Sequence, residues 1–296
     1  MKNKGGEEMD IADRKKTIQY IIVFSVLVNI VAWIGPILGG DPSSPGLGFL
    51  VWGTAPIFVS LLMRAVTRDW SDLGIRPGFR INFLWYIVSL LAYPVAIALT
   101  LFVGSLISVS SFSNFSIGAY LQAALPALVV FFFFALFEEV GWRGYLAPKM
   151  YSLGLNSFIA HALVGFIWAA WHLPYINQLS SYTTESMATY IPRLFLGAFA
   201  FSIVYGEIRM ITATFWPAVL MHWVGNSIAN PLVAGFVLFS TGQEYLGSIG
   251  VDGLFMIAIF FLLGVLINRW RLRQNTALDP VIEPLPQESL GVRREI

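Results

Sequence analysis

The chain has 296 residues, 57% hydrophobic and 12% charged, with a mean hydropathy of +0.71 and a formal net charge of +1. A soluble domain carries about twice that charged fraction, so the composition excludes a soluble globular protein and indicates an integral membrane protein. A near-neutral charge without a basic run excludes a nucleic-acid partner. The absence of cysteine excludes disulfides, thiolate metal sites and a cysteine nucleophile.

The first sixteen residues are polar, and residues 1–17 form an expected cytoplasmic N-terminal segment. The apolar run that follows, 18–38, is too long for a signal-peptide core and lacks a small-x-small exit, so it reads as a retained span. A spanning helix needs about 20 mostly apolar residues. Further runs of that kind lie at 47–65, 83–108, 120–147, 157–173, 191–206, 212–236 and 253–268. The expected fold is therefore all-α and polytopic, with about eight transmembrane helices in a membrane domain covering 18–273. No repeat at a fixed period is visible. Residues 274–296 are polar and contain proline, which predicts a disordered cytoplasmic tail.

Lys and Arg gather on the cytoplasmic side of membrane proteins, and their placement tests this layout independently. With eight alternating spans, one side collects Lys2, Lys4, Arg14, Lys15 and Lys16, then Arg64, Arg68, Arg76 and Arg80. It also collects Arg143, Lys149, Arg209, Arg269, Arg271, Arg273, Arg293 and Arg294. The opposite loops, 39–46, 109–119, 174–190 and 237–252, contain no Lys or Arg. Arg193, at the edge of the sixth span, breaks the pattern. Both termini are expected in the cytoplasm, with the protein in the cell membrane.

Ionisable groups inside a bilayer are costly and are functional candidates by default. In the stretch "FEEVGWRGYL", Glu139 and Arg143 are four residues apart, on one helix face, with the acid N-terminal as an ion pair prefers. Glu138 is rotated about 100° from Glu139. Trp142 occupies its i+4 position, so Glu138 has no charged partner of that kind and faces something else. Two solvated acids at a helix end would be the plainer reading. His172 stands in "FIWAAWHLPY", where a satisfied core histidine is the commoner outcome. His222 and Asn226 share one face of the seventh span, where polar pairs also serve as glue between helices. His161 is the third and last histidine.

Depth unites the candidates. "SLGLNS", 152–157, is a turn signal. Glu138 lies seventeen residues before Leu155 and His172 seventeen after it, each about 25 Å along a helix. His222 lies about 15 Å in from the loop near Arg209. A glutamate, two histidines and an asparagine could then meet in one cavity open to the cytosol. A carboxylate and a histidine sharing a water are the parts of a general-base hydrolase, and a second histidine with an amide donor can stabilise an oxyanion. The sequence contains no His-Glu-x-x-His motif, no Gly-x-Gly-Asp motif and no glycine-framed serine.

"EEVGWRG", then an aromatic four residues before a histidine, then "HWVGN", resembles the CPBP family. These are the type II CAAX prenyl endopeptidases and the bacteriocin-processing and immunity-associated membrane proteases. The resemblance covers about 120–230. The family pattern Glu-Glu-x-x-x-Arg matches at Glu138, Glu139 and Arg143, and His-x-x-x-Asn matches at His222 and Asn226. The middle motif departs: Trp168 stands where phenylalanine is usual, before His172. The resemblance implies an intramembrane endopeptidase acting on membrane-associated proteins, either prenylated CAAX peptides or leader peptides. It implies that Glu138 and His172 activate water, that His222 and Asn226 stabilise the oxyanion, and that Glu139, Arg143 and Trp168 support them. The motifs do not force a metal, and metal-independent catalysis by glutamate is the expectation. Glu138, His172 and His222 would be the ligands if zinc were bound. A non-catalytic scaffold or immunity protein, or a transporter, would be the alternative.

Overall fold

The computed structural model describes residues 10–41, 44, 46–113 and 115–278. Among them are eight long helices: α1 (Ile11–Leu38), α2 (Leu47–Thr67), α3 (Phe83–Leu106), α4 (Ile117–Gly141), α5 (Ser157–His172), α6 (Met187–Thr212), α7 (Trp216–Gly235) and α8 (Leu254–Leu278). Helix α4 continues through a π-helical turn, Trp142–Leu146, into a short α-helix, Ala147–Ser152. Seven of these helical segments are long and apolar enough to cross a membrane. The eighth, α7, carries His222, Asn226 and Asn230, which lower its hydropathy. All eight expected spans are helices, in the expected order.

The two outermost of their bounds differ from expectation. Helix α1 starts at Ile11, inside the segment expected to precede it. Helix α8 runs to Leu278, five residues into the segment expected to be a disordered tail. The rest of that tail, 279–296, and residues 1–9 lie outside the described residues.

The outward faces are apolar at helical spacing. Ile22, Val26, Ile30, Trp33 and Ile37 are exposed along α1, and Leu84, Leu91, Val95, Leu99 and Phe102 along α3. In water such stripes would be a liability; facing lipid chains they match their solvent. Inside the bundle, α2 packs on α1 and α4, α7 on α3 and α4, and α6 on α5 and α8. Helix α4 reaches α2 closely because Gly141 has no side chain: a Cβ there would lie 2.5 Å from Pro56 Cβ. Two capping residues set helix starts. Ser116 Oγ accepts from Ala119 N at 3.2 Å, and Asn156 Oδ1 accepts from Phe158 N at 2.9 Å. A small antiparallel pair, β1 (Ser110–Phe112) with β2 (Val237–Phe239), ties the end of α3 to the end of α7 and was not expected.

Through the π-turn, the arm after Glu138 stays helical as far as "SLGLNS". A π-turn leaves backbone carbonyls without their usual partners. Here two buried guanidinium groups supply donors. Arg209 Nε donates to the Arg143 carbonyl at 2.8 Å, and Arg64 Nη2 donates to the Gly144 carbonyl. Arg64 also binds Asp72 Oδ1 at 2.8 Å, and Lys149 binds Asp72 Oδ2 at 2.9 Å and Asp69 Oδ2 at 2.5 Å. The loop 68–82 is thereby tied to the turn.

Arg193, the exception to the charge pattern, is neutralised locally. Its guanidinium makes a two-pronged pair with Glu185, and its Nε donates to the Asp252 carbonyl at 2.6 Å. That pairing holds the Glu185 carboxyl below its usual range.

Candidate active site

Helix α4 brings two carboxylates to the centre of the bundle. Glu138 and Glu139 are 5% and 0% exposed, so they are not solvated acids at a helix end. Glu139 Oε1 accepts from Arg143 Nη1 at 3.1 Å, the four-residue pair that the spacing predicts. It also accepts from His222 Nδ1 on α7 at 2.9 Å, which no sequence spacing indicates. Arg143 reaches Ser202 Oγ on α6 at 3.4 Å and lies 4.3 Å from the Tyr205 ring centroid. Glu139 Oε2 and Arg143 Nε have no hydrogen-bond partner among the described residues.

Glu138 has no charged i+4 partner; the neutral indole there, Trp142 Nε1, donates to Glu138 Oε2 at 3.4 Å. Trp168 Nε1, from α5, donates to the same oxygen at 2.9 Å. Glu138 Oε1 lies 3.8 Å from His222 Nε2. Glu138 thus faces α5 and α7, while Glu139 is bound by Arg143 and His222.

His172 takes its orientation from its own helix. Its Nδ1 lies 2.9 Å from the Trp168 carbonyl. A carbonyl only accepts, so Nδ1 carries the proton and Nε2 is the nitrogen left for chemistry. Three indoles surround the ring, Trp171 closest at 4.8 Å between centroids, then Trp168 and Trp52. The same reasoning applies to His222: Nδ1 donates to Glu139, so Nε2 is its working nitrogen. Asn226 lies one turn further along α7, half-buried, and its carbonyl accepts from Asn230 Nδ2 at 3.0 Å.

His161 belongs to a different cluster. Its Nε2 lies 2.9 Å from Glu207 Oε1, beside Asn268 and Arg271 of α8. Among the described residues, no group of three or more His, Asp or Glu side chains is placed to hold a metal ion. Glu138, His172 and His222 are thus not arranged as a three-ligand set in this structure. Sequence reasoning missed Trp142, Ser202 and Tyr205. The signal that could have found the last two is a pair of polar groups three residues apart in the otherwise apolar stretch 194–206 of α6.

This constellation can be set beside known proteins. Residues 120–228, which hold every candidate residue named above, match the family described as type II CAAX prenyl endopeptidase, Rce1-like. That segment is similar to the type II CAAX prenyl endopeptidases over a little more than a third of the chain. A CAAX prenyl protease 2 from Methanococcus maripaludis is 39% identical over 61 residues, 21% of this chain and 22% of that protein. The match to that relative thus spans about a fifth of either chain.

Proposed function

We infer that the chain is an intramembrane endopeptidase that uses Glu138 to activate water. The observation that carries this reading is the state of Glu138: a buried carboxylate with one oxygen bonded to two indoles and the other turned toward His222. A buried carboxylate so placed, with no Arg or Lys bound to it among the described residues, is suited to act as a general base. Glu138 takes a proton from water as the oxygen attacks the peptide carbonyl, and His172 Nε2 helps to orient that water. His222 Nε2 and the Asn226 amide donate to the developing oxyanion. To donate from Nε2 while Nδ1–H stays on Glu139, His222 carries both protons, and the two flanking carboxylates supply the counter-charge. The proton on Glu138 then passes to the leaving amine. Arg143 neutralises Glu139 and so keeps the His222 bond in place.

The substrate class is a membrane-associated protein whose scissile bond lies near the cytoplasmic side. A prenylated C-terminal CAAX peptide is the first choice, because the Methanococcus relative is a CAAX prenyl protease 2, and a leader peptide is the second. Both termini lie in the cytoplasm on this reading, in line with the Lys and Arg distribution, and the protein resides in the cell membrane.

The test is purified chain in nanodiscs with a quenched farnesylated CAAX peptide and a quenched leader peptide, with Glu138→Gln as control. Cleavage of either peptide that is lost in the variant supports the reading. Turnover that survives Glu138→Gln overturns the mechanism. Zinc measured in active, chelator-washed protein is expected well below one equivalent. Stoichiometric zinc that tracks activity would replace water activation by glutamate with a metal mechanism.

A further inference from the structure

The two indoles on Glu138 do more than fill space. An indole N–H is a donor only, so the direction of both bonds is unambiguous. Both reach the same oxygen, Oε2, from different elements: Trp142 from the π-turn and Trp168 from α5. A carboxylate oxygen has two in-plane lone-pair positions, and two donors on one oxygen occupy both. A proton arriving at Glu138 must then bond to Oε1, the oxygen 3.8 Å from His222 Nε2.

Neither indole is free to turn away. Trp142 is fully buried, edge-on to Phe24 and Trp171 at 6.1 and 6.0 Å between centroids. Trp168 is 4% exposed and wedged between the Arg143 guanidinium, 5.5 Å from its ring, and the His222 ring at 6.2 Å. The Trp168 carbonyl also holds His172 Nδ1. One residue therefore orients both the carboxylate and the histidine.

We propose that Trp142 and Trp168 are positioning residues that clamp Glu138 Oε2 and thereby assign proton acceptance to Oε1, on the side where His222 and Asn226 lie. The indole at 168 does what a phenylalanine at that position could not, because phenylalanine has the ring without the donor. Its kinetic consequences rest on the hydrolase reading above; the hydrogen bonds themselves do not.

Two measurements test it. In nanodiscs, indole 15N–1H correlation spectra should show a Trp168 signal, identified by its loss in Trp168→Phe, that moves when Glu138→Gln exchanges a charged acceptor for a neutral one. A Trp168 signal indifferent to residue 138 overturns the clamp, whether or not any peptide is cleaved. For the kinetics, Trp168 is replaced by 3-benzothienylalanine, which keeps the size and shape of indole but has no N–H. With the quenched farnesylated peptide, kcat should fall about 10- to 100-fold, the scale of one hydrogen bond to a charged group. KM and melting temperature should stay near wild type. Trp142→Phe should lower kcat only a few-fold, because its bond is longer. An unchanged kcat for the isostere, or a fall matched by lost stability, overturns the clamp while leaving Glu138 as the base. Survival of activity in Glu138→Gln would instead bring down the hydrolase reading.

Discussion

The bundle contains two buried clusters built from similar parts, and they differ in how fully their carboxylates are occupied. Glu207 binds His161, Asn268 and Arg271 through Oε1, and Arg271 again through Oε2. Both of its oxygens are taken, and the cluster joins α5, α6 and α8. The Glu138/Glu139 cluster also pairs acids with an arginine and a histidine. There, however, Glu139 Oε2 and Arg143 Nε lack partners among the described residues, and Glu138 Oε1 has only His222 at 3.8 Å. A saturated carboxylate is a brace. A carboxylate with one oxygen fixed and one oxygen uncommitted can take a proton. The same residue types serve for cohesion or for chemistry according to how many donors surround the acid.

The sharpest way to break this contrast is to remove one charge from each cluster. Glu138→Gln should lower kcat by about 10²–10⁴-fold, the scale of a general base, with melting temperature unchanged; equal damage to stability would make Glu138 another brace. Arg271→Leu should do the opposite. It strands Glu207 without its main partner and should cost about 3–5 kcal/mol of stability, read by thermal unfolding in detergent, while folded protein keeps its kcat. Arg143→Ala falls between the two, because Arg143 neutralises Glu139 and holds the His222 arrangement. It should lose both stability and turnover, and a purely kinetic effect would contradict the ion-pair role.

The loop 68–82, tied to the π-turn segment, offers a smaller effect with a defined sign. Partial burial alone would raise the Asp69 carboxyl, but hydrogen bonds from Lys149 and Ser71 outweigh it and hold the group well below the usual carboxylate range. A depressed carboxyl contributes stability that is present above its unfolded value, near 4, and is lost as pH falls through the folded value. Because Asp69 is half-exposed, Asp69→Asn should cost less than about 1 kcal/mol at neutral pH and nothing at the acid end. A loss that grows on acidification would reverse the assignment.

Much of this was legible in the sequence, for reasons that are local. Apolar run length marks the spans, and four-residue spacing pairs Glu139 with Arg143. The order of the three motifs marks the segment that the family match covers. What was not legible depends on approaches between helices. Nothing near Glu139 in the chain points to His222, and nothing near Glu207 points to Arg271, which reads as part of a cytoplasmic tail until α8 is seen to extend beside α6. The indole donors were hidden for a different reason. Tryptophan in an apolar run reads as packing, and only geometry separates a packed indole from one aimed at a carboxylate. Arg193 looked like an error in the charge pattern because its neutralising partners come from two separate loops, Glu185 just before α6 and Asp252 just before α8.

The π-turn at Trp142–Leu146 acts as an angular gear. An α-helix advances about 100° per residue, and one extra residue in a turn rotates everything beyond it by that amount relative to everything before. Upstream of the turn lie Glu138 and Glu139, facing α5 and α7. Downstream lies Lys149, facing the loop that carries Asp69 and Asp72. With uniform α-helical winding the two sets could not both meet their partners, and the carbonyls now held by Arg64 and Arg209 would return to the helix. Deleting Gly144 would thus leave every contact-making side chain in the sequence and still turn Lys149 and its anchoring loop away from Glu138 and Glu139.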